Sequence, residues 1–394
     1  MKSSLALILL FGCLGTASCD ASSLPSNASD SVDAQAPLVV QSAPAAGTGI
    51  MMTTYSLPGA NIHAGYFDQP LYVDEVTFYA VSDLQDGANV YLVEPDAFTK
   101  LSSFDELHIY DDTHRFGLTL VLSDDWLFYG DGRSIDRHPL GALNSASIFH
   151  ATDQEHLWAP LHVTDDGQFV TTTITRDDEA GVNYIARIDF ETGETDYLQS
   201  PVLGTENPFV DHAQIHPDDR NRVMFAHEGS WVLDRAWLWT IDQDHAEPIW
   251  IHPAFTEAGH EKWAANGEDI LIVQYGQPAR NIPSGINRID PLGQVTEIGH
   301  NSEYYLSHFA FSPDEHYFVA DTYRRDDAGS LWLVLYDIAG ERYHQVTEID
   351  LLIHPAHPHP SWSPSGEKFM FTDMDEGRMV IREVRLEDVL ASSS

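Results

Sequence analysis

The sequence predicts an all-β chain folded as a seven-bladed β-propeller with four-stranded antiparallel blades. Segments of one pattern recur along it: an apolar run, a polar turn holding Asp, Asn, Pro or Gly, then a second alternating strand. They return about every 40 to 50 residues, the spacing of propeller blades. No long helical periodicity interrupts them.

The seven copies are LYVDEVTFYA (71–80), LVLSDDWLFYG (120–130), LHVTDDGQFVTTT (161–173), AQIHPDDRNRVMFA (213–226), EKWAANGEDILIVQY (261–275), FAFSPDEHYFVAD (309–321) and PSWSPSGEKFMFTD (360–373). Each is followed by another strand that often ends in an acidic or Gly turn, as in YIARIDFETGE or LWLVLYDIAGE. A blade cannot bury both faces alone, so such units must stack radially. The blades span residues 49–390. The sequence leaves open whether IMMTTYSLP (50–58) closes the ring by adding a strand to the last blade.

Ahead of the blades, MKSSLALILLFGCLGTASCD has one Lys, then an apolar run of about ten residues, too short for a membrane span, then small residues. Residues 1–19 read as a secretory signal, of lipoprotein type if the Cys of TASC, Cys19, is lipidated; the Cys of LFGC, Cys13, is the less favoured candidate. Plain secretion is the alternative. Both cysteines lie there, so the mature domain has no disulfide. Residues 20–48, rich in Ser, Ala, Pro and Asp, read as a disordered tether, and the closing ASSS as a loose tail. The expected location is the periplasm or cell surface, with membrane contact only through the lipid.

The chain carries 61 acidic and 20 basic residues, a net charge of −41, which excludes nucleic acid and anionic membrane as natural partners. An anionic substrate would need positive charge built into its site.

The histidines fall into register. Aligned on the anchors Ile215, Trp263, Phe311 and Trp362, the residue three places earlier is His212, His260, His308 and His359 in four successive blades. That place lies near the start of the innermost strand, facing the channel, where neighbouring blades converge. One such histidine reads as a channel residue bonded to a carbonyl; four in register do not. In IHPAHPHPSWSPSG, His357 and His359 are two apart and share a side of an extended strand, with the prolines holding the segment extended. His354 precedes them on a loop able to fold back. With His308, these imidazoles form a metal site suited to a divalent ion. The competing reading is a Pro-rich turn whose histidines face water.

DHAQIHPDDRNRVMFAHEGSW, LDRAWLW, AGHEKW, LSHFAFSPD and HPHPSWSPSGEKFMFTD resemble the oligogalacturonate lyases, seven-bladed propellers that cut short pectic oligosaccharides by metal-dependent β-elimination. The resemblance covers residues 205–375 well and the first half weakly. It implies that His308, His357 and His359 bind the metal and that Arg235 and His260 are the catalytic pair. His212, His227 and His63 match family positions and are assigned to lining or substrate contact. The family has Gln where this chain has His354. An all-nitrogen set suits Zn, Ni, Fe or Cu, against the manganese that the family implies.

β-Elimination at a uronate needs the carboxylate neutralised, a base for the C5 proton and stabilisation of the departing O4. The metal is assigned to the first, His260 to the second, and Arg235 to charge stabilisation. For Arg235 alone, an inter-blade ion pair is the competing reading; His227 reads equally as a loop-orienting residue, and Tyr304 and Tyr305 as packing residues. The same chemistry on another, algal, uronic oligosaccharide is the runner-up, and a non-catalytic sugar- or metal-binding propeller is the alternative from a different class. Metal identity, oligosaccharide and oligomeric state are left open.

Overall fold

A computed structural model describes residues 38–65, 71–84, 88–101, 119–130, 132–140, 146–176, 182–205, 208–229, 231–253, 256–322, 331–349 and 357–392. The strands fall into seven antiparallel sheets, six of them built from four strands consecutive in sequence, as the repeat predicts. Their innermost strands begin at Ile62, Thr119, Glu155, Val210, Glu257 and Leu306, which open blades 1 to 6.

Blade 7 closes the ring. Its strands Ser361–Trp362, Lys368–Asp375 and Arg378–Arg385 are joined by the N-terminal strand Met51–Ser56, registered from Met52 opposite Val384 to Tyr55 opposite Ile381. A fifth strand, Val39–Pro44, pairs outside it. Two boundaries read from composition are corrected by this. The tether expected to reach residue 48 gives way to strand at Val39, because backbone pairing to the blade edge replaces the apolar burial that the segment lacks. Of the tail expected to be loose, Ala391 and Ser392 end a helix, Leu386–Ser392, whose buried Val389 packs on the core between blades 6 and 7, and the last two serines lie outside the described residues. The signal, Cys13, Cys19 and most of the tether lie outside the described residues.

The core sits between blades rather than within one. Ala310, Val319 and Leu333 of blade 6 pack on Trp362, Phe369 and Phe371 of blade 7. Val273 and Ile286 of blade 5 pack on Phe309, Phe318 and Val334 of blade 6. The anchors used to align the repeat fix the blades to one another. Trp263 Nε1 donates to the Gln214 carbonyl of blade 4 at 3.4 Å, and Trp362 Nε1 to the equivalent Ala310 carbonyl of blade 6 at 3.0 Å. This repeated clamp ties the inner strand of blade 5 to that of blade 4, and blade 7 to blade 6, at equivalent positions.

Candidate functional site

Each inner strand that carries a register histidine is bulged at that histidine. Pairing slips between Asp211 and Gln214 in blade 4, between Gly259 and Lys262 in blade 5, and between Leu306 and Phe309 in blade 6. A bulge adds a residue with no ladder partner and re-aims its side chain. His212 and His260 both adopt φ 54°, and His359 adopts φ 38°, a left-handed backbone that is uncommon outside glycine. His359 was expected in an extended run held by prolines; it turns left-handed instead, although Pro360 follows. The displaced amides find carboxylates: His212 N donates to Asp211 Oδ1 at 2.8 Å and His308 N to Asp321 Oδ1 at 2.6 Å.

The bulges deliver a cluster. Ligand nitrogens of His308, His357 and His359 all lie within 4.8 Å of one another. The His308 ring centroid is 4.0 Å from that of His359 and 4.7 Å from that of His357, and His357 Nδ1 lies 3.2 Å from His308 Nε2. Asp321 Oδ2 accepts from His308 Nδ1 at 2.8 Å, which fixes the tautomer with Nε2 as a lone pair facing the cluster. His354 lies outside the described residues.

His260 stands against this cluster, its ring 4.2 Å from His308 and 6.2 Å from His212. Burial, and then the charges of His308, His212, Arg235 and His357, hold its pKa well below the ordinary imidazole value, so the ring is neutral. Gly259 makes room: a Cβ there would lie 2.4 Å from the Tyr275 hydroxyl. Tyr275 in turn meets His260 edge-on at 6.2 Å.

On the far side of His260 lies a buried charge network. Arg235 Nε donates to Glu261 Oε2 at 2.8 Å, and its terminal nitrogens bind Glu228 at 3.0 and 3.4 Å. The Glu261 pair joins blades 4 and 5, so the inter-blade ion pair that Arg235 alone suggests is present. Three of its five N–H groups are committed, leaving two among the described residues. His212 Nδ1 sits 3.0 Å from Glu261 Oε1. Burial opposes charging His212, yet the bond to Glu261 and the charges of Glu228, Glu261 and Asp211 outweigh it and raise its pKa. Glu261 is wholly buried; burial alone would raise its pKa, but Arg235 and His212 bring it down to about 2. Burial pushes Asp211 up to about 7 against the pull of His212.

The structure thus brings His260, His308, His357 and His359 together, with Arg235 and His212 in the adjoining network. His227 holds the following hairpin, Nδ1 to Asp234 at 3.0 Å and its amide to the Arg235 carbonyl at 2.7 Å, the loop-orienting role. His63 is buried on blade 1, donating to the Ala64 carbonyl at 2.6 Å. Tyr304 packs in the core between blades 5 and 6. The carboxylates Asp211, Glu228, Glu261 and Asp321 carry no repeat label and were missed from sequence. One signal could have found two of them: Asp211 and Glu261 flank register histidines directly.

Comparison with known proteins bears on this geometry. The family model described as oligogalacturonate lyase matches residues 33–321. An oligogalacturonate lyase of Dickeya dadantii (strain 3937) is 24% identical over 388 residues, 86% of this chain and 94% of that one. An oligogalacturonide lyase of Pectobacterium atrosepticum is 23% identical over 395 residues, 89% and 97% of the two chains. Among solved structures, an oligogalacturonate lyase in complex with manganese superposes with TM-score 0.75 at 21% identity, covering 89% of this chain and 96% of that one. An oligogalacturonate lyase from Vibrio parahaemolyticus gives 0.75 at 18% identity, covering 90% and 99%.

Proposed function

The chain belongs to the oligogalacturonate lyase family and is a lyase, and on that premise we propose that it cleaves acidic oligosaccharides of the oligogalacturonate type by metal-dependent β-elimination. The observation that carries the reading is a set of three converging imidazoles beside a fourth held neutral.

The donor set fits a divalent cation. Three nitrogens from two blades converge, and His308 is already oriented by a buried carboxylate. Manganese, present in a related structure, zinc, nickel and iron all accept imidazole. When bound, such a cation neutralises the uronate carboxylate and acidifies the adjacent C5 proton.

The remaining steps belong to side chains of this protein. His260, neutral at pH 7, accepts the C5 proton; its weak basicity suffices only because that proton has been acidified. Arg235, always charged, offers its two uncommitted N–H groups to the substrate anion or to the negative charge developing on the departing O4. Glu228 and Glu261 hold the guanidinium in place. His212 and His227 support the site from the network and the hairpin rather than through a ligand bond. We further propose export through the N-terminal signal, with Cys19 as the lipid anchor, on the strength of TASC after the apolar run.

Digalacturonate and a divalent metal should give rising absorbance from the 4,5-unsaturated product. Chelation should abolish the rise and added metal restore it. His260→Ala should reduce it by at least about 100-fold, the usual contribution of a general base. Full activity after chelation, or in His260→Ala, would sink the mechanism.

A further inference from the structure

We propose that Trp231 is a stacking platform for a sugar residue beyond the cleaved bond, so that it strengthens binding of a trisaccharide over a disaccharide. The inference rests on the oligosaccharide lyase reading and deepens it.

Trp231 lies at the tip of the hairpin that joins the second and third strands of blade 4 and is 67% exposed. An indole is the side chain a folded protein most often buries in large part, and exposure on this scale marks a contact surface. The stem of the hairpin is the network itself: Glu228 begins the loop, Arg235 ends it, and the two are bonded. Val210 pairs with His227, so the hairpin leaves the sheet beside the start of the inner strand, the end that bears His212. The tip therefore overhangs the face where the imidazoles gather.

The hairpin is also held rigid. His252, on the loop leading to blade 5, donates its amide to the Leu233 carbonyl at 2.9 Å and places its ring nitrogens on the Val232 carbonyl and on Thr256 Oγ1. His227 closes the base through Asp234 and the Arg235 carbonyl. A platform locked in this way loses little freedom on binding. The two pinned loops expose Leu233 and Ile251 as well. Three of the ten large apolar side chains exposed among the described residues thus lie on these two hydrogen-bonded loops, as a ledge at the end of blade 4 that bears His212. A pyranose ring has one face of C–H groups and a rim of hydroxyls and carboxylate. The ledge matches that face, while Arg235 and the metal cluster match the carboxylate of the next residue. Continuity with the site favours sugar over a protein partner.

The test compares Trp231→Ala and Trp231→Phe with the wild type on di- and trigalacturonate. Trp231→Ala should raise KM for the trisaccharide about tenfold, equivalent to about 1.4 kcal/mol, with kcat within twofold, and leave KM for the disaccharide little changed. Trp231→Phe should recover most of the loss. Leu292→Ala, which removes another exposed side chain from a blade 5 turn, is the control. An unchanged trisaccharide KM, or equal losses on both substrates with a fall in kcat, overturns the platform; the second result would mean that the hairpin merely supports Arg235. Calorimetric titration with trigalacturonate separates this from the parent reading. Binding lost in Trp231→Ala but without turnover in the wild type keeps the platform and sinks the lyase assignment. Equal binding by both proteins, or by neither, overturns the platform whatever the turnover.

Discussion

Asp321→Asn probes whether the imidazole cluster is a prepared ligand set. Both oxygens of Asp321 accept from His308: Oδ1 from the backbone amide at 2.6 Å, Oδ2 from Nδ1 at 2.8 Å. Both partners are buried. Asparagine has nearly the same shape but offers one acceptor and one donor. If its oxygen keeps the amide, its NH2 group faces His308 Nδ1, which must become the acceptor. The ring proton then moves to Nε2, the nitrogen that faces His357, and His308 ceases to be a ligand without an atom being removed. If the oxygen keeps the ring, a buried amide N–H faces another N–H, and the bulge loses its tie. Loss of such an outer partner weakens metal binding about 10- to 100-fold, or about 1.4 to 2.7 kcal/mol. Titration against a metal indicator reads the affinity, and ring-nitrogen NMR shifts of the metal-free protein read the tautomer. The tautomer tells which of the two arrangements is adopted; wild-type affinity in Asp321→Asn would refute the reasoning.

Two further tests follow from the bulges and the network. Gly259→Ala places a methyl 2.4 Å from the Tyr275 hydroxyl, so the strand or Tyr275 must move beside His260; a misplacement of 1 Å costs on the order of 100-fold, and kcat near wild type would show that the contact is relieved harmlessly. Asp211 keeps its proton in the folded state up to about 7, against an ordinary 3.8, through burial. Between those values the folded state binds the extra proton, so stability falls as pH rises through the window. Urea midpoints should therefore drop from pH 5 to pH 7.5 more steeply in the wild type than in Asp211→Asn; parallel curves would count against a protonated Asp211.

The blades were legible because turn chemistry and alternation repeat seven times, and a repeated error is harder to make than a single one. The closing strand was not, since MMTTYS lies next in sequence only to Val39–Pro44, which pairs on its outer side, while the pairing that closes the ring is with the far end of the chain. In the site, His260 and His308 could be read from register because the bulge that aims them recurs at one place in the inner strands of blades 4, 5 and 6. Glu261 could not be placed by alternation, which sends neighbours to opposite sides of a strand. The left-handed turn at His260 breaks that rule and leaves Glu261 bonded to both Arg235 and His212. Asp321 is one of 61 acidic residues and gains its meaning only from the strand pairing that sets it beside His308.

Charge supplies the remaining link between fold and substrate. The turns between first and second strands lie at the opposite end of the inner strands from the register histidines, and in five blades they carry paired acids: Asp124 and Asp125, Asp165 and Asp166, Asp218 and Asp219, Glu268 and Asp269, Asp314 and Glu315. Ten of the 61 acidic residues thus lie on the face away from the site. The network beside His260 contributes no positive excess, since Glu228 and Glu261 match the charge of Arg235 and any charge on His212, and Asp211 sits near its titration point. Arg235 alone therefore cannot give the site a positive potential; its carboxylates hold it in geometry and cancel its charge at a distance. The attraction that an anionic sugar requires comes with the cation that His308, His357 and His359 would hold. On the proposed mechanism the metal would serve substrate binding as well as proton removal, so chelation should weaken trigalacturonate affinity in His260→Ala, where slowed turnover cannot mask the effect.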